Sequence, residues 1–214
     1  MYRAVCFDLD GTLAEYHGDF DELLDSVRTD LGLLACDFTT FRDWLADELR
    51  RDGKVTLGDA LASTLEGLEQ RVPADLEQVT ERAIAAYVSE LQLREGARDL
   101  LDYLAKRRVP LALISNGPSD MQRAAVRELG LEGYFATLVI SGDEGVGRRK
   151  PAPAVFELAC RRLGVTPARA LMIGDDPVND LSGAKALGMA TLDASGSLGR
   201  VKEHLVERWT AAAS

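Results

Sequence analysis

The chain has 214 residues, of which 46% are hydrophobic and 28% charged, a composition that suits a globular protein with a sizeable core. Its formal net charge of −10 argues against a general nucleic-acid binder, which needs a basic face. No apolar run approaches the roughly 20 residues of a membrane span, and the first residues lack the pattern of a signal peptide. Three widely spaced cysteines fit reduced thiols, so we expect a cytoplasmic protein that binds neither nucleic acid nor membrane.

Short apolar runs predict five buried strands, at residues 3–7, 109–114, 136–140, 170–173 and 189–192. Segments with helical spacing lie between the later runs, and Pro118, Pro151 and Pro177 stand where the first turns of helices are expected. Strand alternating with helix is typical of a parallel sheet that is covered on both faces. The sequence therefore predicts an α/β fold with a three-layer, Rossmann-like core.

Residues 14–92 break this alternation. Apolar residues recur at helical spacing in four stretches, near 20–31, 38–49, 57–68 and 76–91, and no strand is predicted among them. We therefore expect an all-helical insertion over residues 14–92, placed after the first strand of a core that comprises residues 1–13 and 93–214. The last residues, 211–214, are expected to fray.

Polar motifs follow the predicted strands or open the helices behind them, at Phe7–Leu13, Ser115–Gly117, Lys150–Pro151 and Gly174–Asp180. Because the carboxyl ends of parallel strands gather at one edge of a sheet, where ligands bind, we expect these motifs to meet in one pocket. They would supply a nucleophilic carboxylate, a second carboxylate, a hydroxyl, an ammonium and acidic metal ligands. Those groups suit phosphoryl transfer through an aspartyl phosphate with Mg²⁺.

Each motif alone has a simpler interpretation. Asp8 and Asp10 could be solvated loop acids, Ser115–Gly117 a plain turn, and Lys150 part of a solvated basic run. Their order along the chain and their shared placement at strand ends indicate a catalytic site only when the motifs are taken together.

The fourth motif contributes three acids with different expected duties. Asp175 offers a hard oxygen ligand of the kind that Mg²⁺ prefers. Asp176 is predicted to cap the helix that begins at Pro177. Asp180 is expected to hold either a metal-bound water or Lys150.

On these four motifs the chain resembles the haloacid dehalogenase (HAD) superfamily from end to end, and the helical insertion resembles the cap of its subfamily I members. The resemblance implies that Asp8 is the nucleophile and a Mg²⁺ ligand, and that Asp10 is the general acid and base and offers its backbone carbonyl to the metal. It also implies that Asp175 binds Mg²⁺ and that Lys150 offsets charge on the nucleophile and the phosphate.

The same resemblance implies a phosphate-binding set in which the Ser115 hydroxyl and the Gly117 amide hold the phosphoryl oxygens. The set comprises Asp8, Leu9, Asp10, Ser115, Asn116, Gly117 and Lys150. Asp10 favours phosphate ester hydrolysis, because family members that cleave carbon–halogen bonds lack an acid at this position. One departure is Ala14-Glu15, where many members carry an acid and a small hydroxyl residue.

The expected substrate is a small phosphorylated metabolite of the phosphoglycolate, nucleotide or sugar phosphate type, with selectivity supplied by the cap. Three alternatives stay open at this point: a phosphomutase with the same core, a signalling module that is switched by phosphorylation, and a scaffold without catalytic activity. The sequence does not identify the substrate or choose between a monomer and a homodimer.

Overall fold

The computed structural model describes residues 2–211; Met1 and residues 212–214, which include most of the tail predicted to fray, lie outside the described residues. The strands are β1 (Ala4–Phe7), β2 (Ala14–Tyr16), β3 (Leu91–Leu93), β4 (Leu111–Ser115), β5 (Thr137–Ile140), β6 (Ala170–Gly174) and β7 (Ala190–Asp193). The helices are α1 (Phe20–Asp30), α2 (Phe38–Leu49), α3 (Leu57–Gly67), α4 (Leu76–Ser89), α5 (Ala97–Lys106), α6 (Ser119–Glu128), α7 (Pro153–Arg162), α8 (Gly183–Ala186) and α9 (Leu198–Ala211). Shorter helical turns cover Pro167–Arg169 and Pro177–Ser182. Within the described range, no helix combines the length and the apolar character needed to cross a membrane.

Five strands form a parallel sheet in the order β5-β4-β1-β6-β7, which confirms the predicted α/β fold. The first strand lies at the centre, and Phe7 pairs with Leu113 on one side and with Ile173 on the other. The chain builds the sheet outward from β1 in one direction and then returns to build it in the other. This reversal leaves a crevice beyond the carboxyl end of β1, the usual place for a ligand in such a sheet.

Helices cover both faces of the sheet. Val5 and Phe7 point into a core shared with α5, α6 and α9, whereas Cys6 points into a second core shared with α7 and α8. Strands that are buried on both faces need apolar residues at every position. This explains why β1, β4 and β6 appear in the sequence as continuous apolar runs rather than alternating ones.

The insertion contains the four expected helices, α1 to α4, but the prediction that residues 14–92 are helical throughout is wrong at both ends. Ala14–Tyr16 and Leu91–Leu93 pair as a two-stranded antiparallel ribbon, with Tyr16 opposite Leu91. Strands of three residues are too short to show the alternation by which a strand is identified in a sequence. The ribbon forms the neck at which the chain leaves the core and re-enters it.

The cap docks on the loops that follow β4 and β5. The Asp120 carboxylate of α6 accepts from the Leu57 N–H at 2.9 and 3.0 Å, so a core residue supplies an acceptor at the start of cap helix α3. The backbone of Val55 donates to the Gly142 carbonyl at 3.0 Å and accepts from the Ser119 N–H at 2.9 Å. The cap is thereby fixed over the edge of the sheet where the polar motifs meet.

Candidate active site

A buried ammonium lies between two carboxylates beyond the end of β1. Lys150 Nζ is 2.5 Å from Asp8 Oδ1 and 2.7 Å from Asp180 Oδ1. The three residues are 5%, 6% and 0% exposed, respectively. An unpaired charge at such a place would be strongly destabilising, so the two carboxylates and the ammonium depend on one another.

The protonation of this cluster follows from the same contacts. Burial alone would lower the pKa of Lys150, but the charges of Asp8 and Asp180 outweigh it and raise the pKa above its ordinary value. Burial raises the pKa of Asp8, and the ammonium of Lys150 opposes that rise. Lys150 therefore stays charged and can offset negative charge on Asp8 and on a bound anion.

Asn116 fixes the backbone of Lys150. Its side-chain Nδ2 donates to the Lys150 carbonyl at 3.0 Å, and its Oδ1 accepts from the Lys150 N–H at 2.8 Å.

The helix that follows Lys150, α7, begins at Pro153 and not at Pro151 as predicted. A residue before a proline is pushed toward an extended backbone, and Ala152, with φ −58° and ψ 130°, adopts that conformation immediately before Pro153.

Three acids could hold a metal ion. Ligand oxygens of Asp8, Asp175 and Asp180 all lie within 4.8 Å of one another. The Thr12 hydroxyl donates to Asp175 Oδ1 at 2.7 Å and accepts from the Asp175 N–H at 3.0 Å, which fixes the direction of that carboxylate. A cluster of hard carboxylate oxygens fits Mg²⁺, which binds such groups together with waters and phosphate oxygens.

Gly11 allows the first and fourth motifs to approach each other. Its φ of +82° is a left-handed conformation that other residues rarely adopt. A Cβ at this position would also lie 2.5 Å from Asp175 Oδ2. Any side chain here would displace a candidate metal ligand, so this turn requires glycine.

The Asp10 carboxylate is held apart from this acidic cluster. Its Oδ1 accepts from the Tyr87 hydroxyl of α4 at 3.0 Å, and its Oδ2 accepts from Gln122 Nε2 of α6 at 3.1 Å. Asp10 as a whole residue is exposed, but its carboxyl group is surrounded by protein, and this burial raises its pKa. The hydrogen bonds from Tyr87 and Gln122 oppose the rise. A carboxyl group with a raised pKa that faces a pocket suits proton transfer.

Two of the expected phosphate donors are bonded within the protein. The Gly117 N–H donates to the Ser141 hydroxyl at 3.0 Å, and the Ser115 hydroxyl, in the pocket lining, donates to Gln122 Oε1 at 2.8 Å. Their contacts with a phosphoryl oxygen stay predictions. The side chain of Leu9 is fully buried, so this residue can offer only its backbone; across residues 2–211 its N–H has no protein acceptor.

These groups surround a pocket of about 170 Å³ at the carboxyl ends of β1, β4 and β6. The structure brings together every predicted site residue except Leu9 and Gly117 in the pocket lining, which comprises Asp8, Asp10, Ser115, Asn116, Lys150, Asp175, Asp176, Asn179 and Asp180. Asp176 caps the turn at Pro177–Ser182, as expected, and hydrogen bonds led by the one from the Asn179 N–H lower its pKa. With five carboxylates and one ammonium, the pocket favours a divalent cation next to a bound anion.

Sequence reasoning missed Tyr87, Gln122 and Thr12. Tyr87 and Gln122 lie 77 and 112 positions from Asp10 along the chain, and Thr12 lies 163 positions from Asp175. Thr12 belongs to the first motif, so its place in the motif was the one available signal. Tyr87 and Gln122 occupy helices whose amphipathic pattern identifies a buried face but not a contact with an acid.

Comparison with known proteins agrees with the geometry. Residues 2–188 match the model of a family described as haloacid dehalogenase-like hydrolase. Phosphoglycolate phosphatase 1 of Pseudomonas aeruginosa is 32% identical over 196 residues, which cover 87% of this chain and 67% of that protein. Ribulose-1,5-bisphosphate 5-phosphatase of Halopiger xanaduensis is 30% identical over 203 residues, covering 90% and 84% of the two chains.

A solved structure of a HAD phosphatase from Thermococcus onnurineus superposes with a TM-score of 0.63 at 27% identity, covering 89% of this chain and 85% of that one. The family match spans all four motifs as well as the cap. This chain therefore belongs to the haloacid dehalogenase-like hydrolases.

Proposed function

We propose that this chain is a Mg²⁺-dependent phosphatase that hydrolyses small phosphorylated metabolites through a phosphate ester of Asp8. The observation that carries the proposal is the division of labour between two carboxylates two residues apart. Asp8 lies against Lys150 and two candidate metal ligands, whereas Asp10 is bonded to Tyr87 and Gln122. The named activities of the two relatives, both of which cleave phosphate from small metabolites, support the same reaction class.

In the first step an oxygen of Asp8 attacks phosphorus. The contact with Lys150 occupies Oδ1, and in the described part of the chain Oδ2 receives no hydrogen bond, so Oδ2 is the free nucleophile. The bond from Asp8 to phosphorus forms while the ester bond to the leaving oxygen breaks, and Asp10 donates a proton to that oxygen. Lys150 offsets charge on the transferring group.

In the second step a water molecule gives its proton to Asp10 and attacks phosphorus. The bond between Asp8 and phosphorus breaks, which restores the carboxylate and releases inorganic phosphate. A Mg²⁺ ion held by Asp8 and Asp175, together with the backbone carbonyl of Asp10, would supply positive charge beside the phosphoryl oxygens. Asp10 thus acts first as an acid and then as a base, and cleavage of a carbon–halogen bond would not require the acid, because a halide ion leaves without a proton.

Asp8→Asn tests the proposal most directly. We expect it to abolish phosphate release while circular dichroism and the urea midpoint show a folded protein, and Asp99→Asn on the exposed side of α5 should behave as the wild type. Acid-quenched wild-type enzyme should carry phosphate on Asp8 by mass spectrometry, and activity should require added Mg²⁺ after treatment with EDTA. An active Asp8→Asn enzyme would refute the proposal.

The substrate should be sought among phosphoglycolate, nucleotides and sugar phosphates, ranked by kcat/KM. Release of inorganic phosphate distinguishes a phosphatase from a phosphomutase, which isomerises its substrate and needs a bisphosphate primer. Stable phosphorylation by acetyl phosphate without turnover would instead indicate a signalling module. A cytoplasmic location and a monomeric or homodimeric state remain predictions from the sequence.

A further inference from the structure

Gln122 connects two groups of the proposed chemistry. Its Oε1 accepts from the Ser115 hydroxyl at 2.8 Å, and its Nε2 donates to Asp10 Oδ2 at 3.1 Å. The side chain is 5% exposed and does not line the pocket. A carboxamide has its acceptor on oxygen and its donors on nitrogen, so only one orientation serves both the hydroxyl and an ionised Asp10.

Gly117 provides the space that this orientation needs. A Cβ at position 117 would lie 2.7 Å from Gln122 Nε2 and 2.9 Å from its Cγ. The backbone N–H of Gly117 is bonded to the Ser141 hydroxyl at 3.0 Å. The lack of a side chain at this position therefore has a separate consequence, since it lets the Gln122 carboxamide reach Asp10.

The other oxygen of Asp10 is held from the cap. The Tyr87 hydroxyl of α4 donates to Oδ1 at 3.0 Å, and the Tyr87 ring stacks on Tyr16 with 5.4 Å between ring centroids. Tyr87 is 6% exposed and also lies outside the pocket lining. Two buried donors, one from the cap and one from the core, thus fix both the position and the plane of the Asp10 carboxylate.

We propose that Gln122 and Tyr87 are positioning residues that align Asp10 with the leaving oxygen of the substrate. The inference rests on the proposed phosphatase function and adds two residues that act through Asp10 without touching the substrate. General acid catalysis contributes about 10²–10⁴-fold, and it does so only when the acid is within hydrogen-bonding reach of the leaving atom. When either donor is lost, the backbone of Asp10 stays where it is, but one oxygen of its carboxylate is no longer held and the carboxylate can rotate.

The test compares two esters that differ in their need for an acid. p-Nitrophenyl phosphate releases a stabilised phenolate that departs without protonation, whereas glycerol phosphate releases an alkoxide that requires a proton. In Gln122→Met and Tyr87→Phe, the ratio of kcat/KM for glycerol phosphate to kcat/KM for p-nitrophenyl phosphate should fall by about tenfold or more. Gly117→Ala should cause the same fall with every polar group intact.

Matched controls lie away from the site. Tyr134→Phe also removes a tyrosine hydroxyl bonded to an aspartate, here Asp102 at 2.6 Å, and Glu128→Gln alters an exposed residue on the same helix as Gln122. Both should keep the wild-type ratio. The inhibition constant of inorganic phosphate, which reports anion binding alone, should change by less than about threefold in Gln122→Met and Tyr87→Phe, since neither variant removes a residue of the pocket lining.

An equal loss on both esters in folded Gln122→Met and Tyr87→Phe would overturn the inference, because a merely structural role affects both reactions alike. An unchanged ratio in either variant would also overturn it. Tyr87→Phe keeps the buried ring, so it supplies a folded variant even if a change at Gln122 or Gly117 disturbs the core. A wild-type enzyme that hydrolyses neither ester, nor any metabolite of the panel, would instead refute the proposed function itself.

Discussion

Thr12→Val would test whether the first motif orients a metal ligand of the fourth. The Thr12 side chain is fully buried, donates to Asp175 Oδ1 at 2.7 Å and accepts from the Asp175 N–H at 3.0 Å. Valine has nearly the same shape but can do neither. The change therefore removes two hydrogen bonds between distant parts of the chain with little alteration of packing.

The magnitude follows from these two bonds. A hydrogen bond to a charged group contributes about 1.5–3 kcal/mol, and an unsatisfied buried N–H costs about 1–3 kcal/mol. Asp175 is half-buried, so water can replace part of the lost interaction, and we expect a loss of about 2–4 kcal/mol in the free energy of unfolding. Loss of the partner that orients a metal ligand typically weakens metal affinity by about 10–100-fold.

Two assays separate these effects. Urea unfolding in EDTA measures stability without metal, and phosphate release as a function of Mg²⁺ concentration gives the concentration for half-maximal activity, which should rise by about 10–100-fold. Thr12→Ser should restore both values toward those of the wild type. Thr64→Val is the matched control, because it removes a buried hydroxyl of cap helix α3 that donates to the Ala60 carbonyl at 2.8 Å and takes no part in the hydrogen bonds of Asp175.

The result that would refute this reasoning is a folded Thr12→Val enzyme with the Mg²⁺ dependence of the wild type. A similar shift in Thr64→Val would also refute it, since the effect would then follow from any lost buried hydroxyl. The urea unfolding curve of each variant shows whether a change in its Mg²⁺ dependence comes merely from a loss of folded protein.

Two further predictions concern stability. Asp176→Ala should remove the cap of the turn at Pro177–Ser182 and lower the free energy of unfolding by about 1 kcal/mol at neutral pH. Because the folded-state pKa of Asp176 is lowered, this difference should be present above about pH 4 and shrink as the pH falls through the lowered pKa. Urea titrations at several pH values would measure it. Arg94→Ala should lower the free energy of unfolding by about 2–4 kcal/mol, as measured in urea. The Arg94 guanidinium donates to the Gly11 and Ala194 carbonyls, each at 2.6 Å, and pairs with Glu15 at 3.0 Å. An unchanged urea midpoint would show that these bonds contribute nothing to stability.

The core of the site could be predicted because its chemistry is attached to strand ends. Asp8, Lys150 and Asp175 each follow or precede a buried apolar element, and a parallel sheet brings such positions to one edge whatever their separation in the chain. The four helices of the cap were equally accessible, because a period of 3.6 residues persists over ten or more positions. Local pattern was sufficient in both cases.

The features that sequence analysis missed are contacts set by side chains across long separations. The ribbon of Ala14–Tyr16 and Leu91–Leu93 joins two three-residue strands that carry too few positions for a pattern. The motif predicts that Gly117 binds phosphate, but it does not indicate that the Gly117 N–H is bonded to Ser141 or that a Cβ there would lie 2.7 Å from Gln122 Nε2. Such roles depend on what fills the space next to a residue, which only the fold reveals.

The charge of the pocket bears on the order in which ligands bind. Five carboxylates and one ammonium line a volume of about 170 Å³, so an incoming phosphate ester meets a strongly negative field before it reaches Lys150. Since Lys150 is shared between Asp8 and Asp180, it cannot offset this field alone. Two opposite unit charges 4 Å apart attract by about 4 kcal/mol at an effective dielectric constant of 20, so a divalent ion among the acids would offset a large part of the repulsion that a phosphate ester meets. This arrangement of charges favours an order in which the proposed metal binds before the substrate. Local positive charge of this kind would let a chain with a net charge of −10 bind the anionic substrate proposed above.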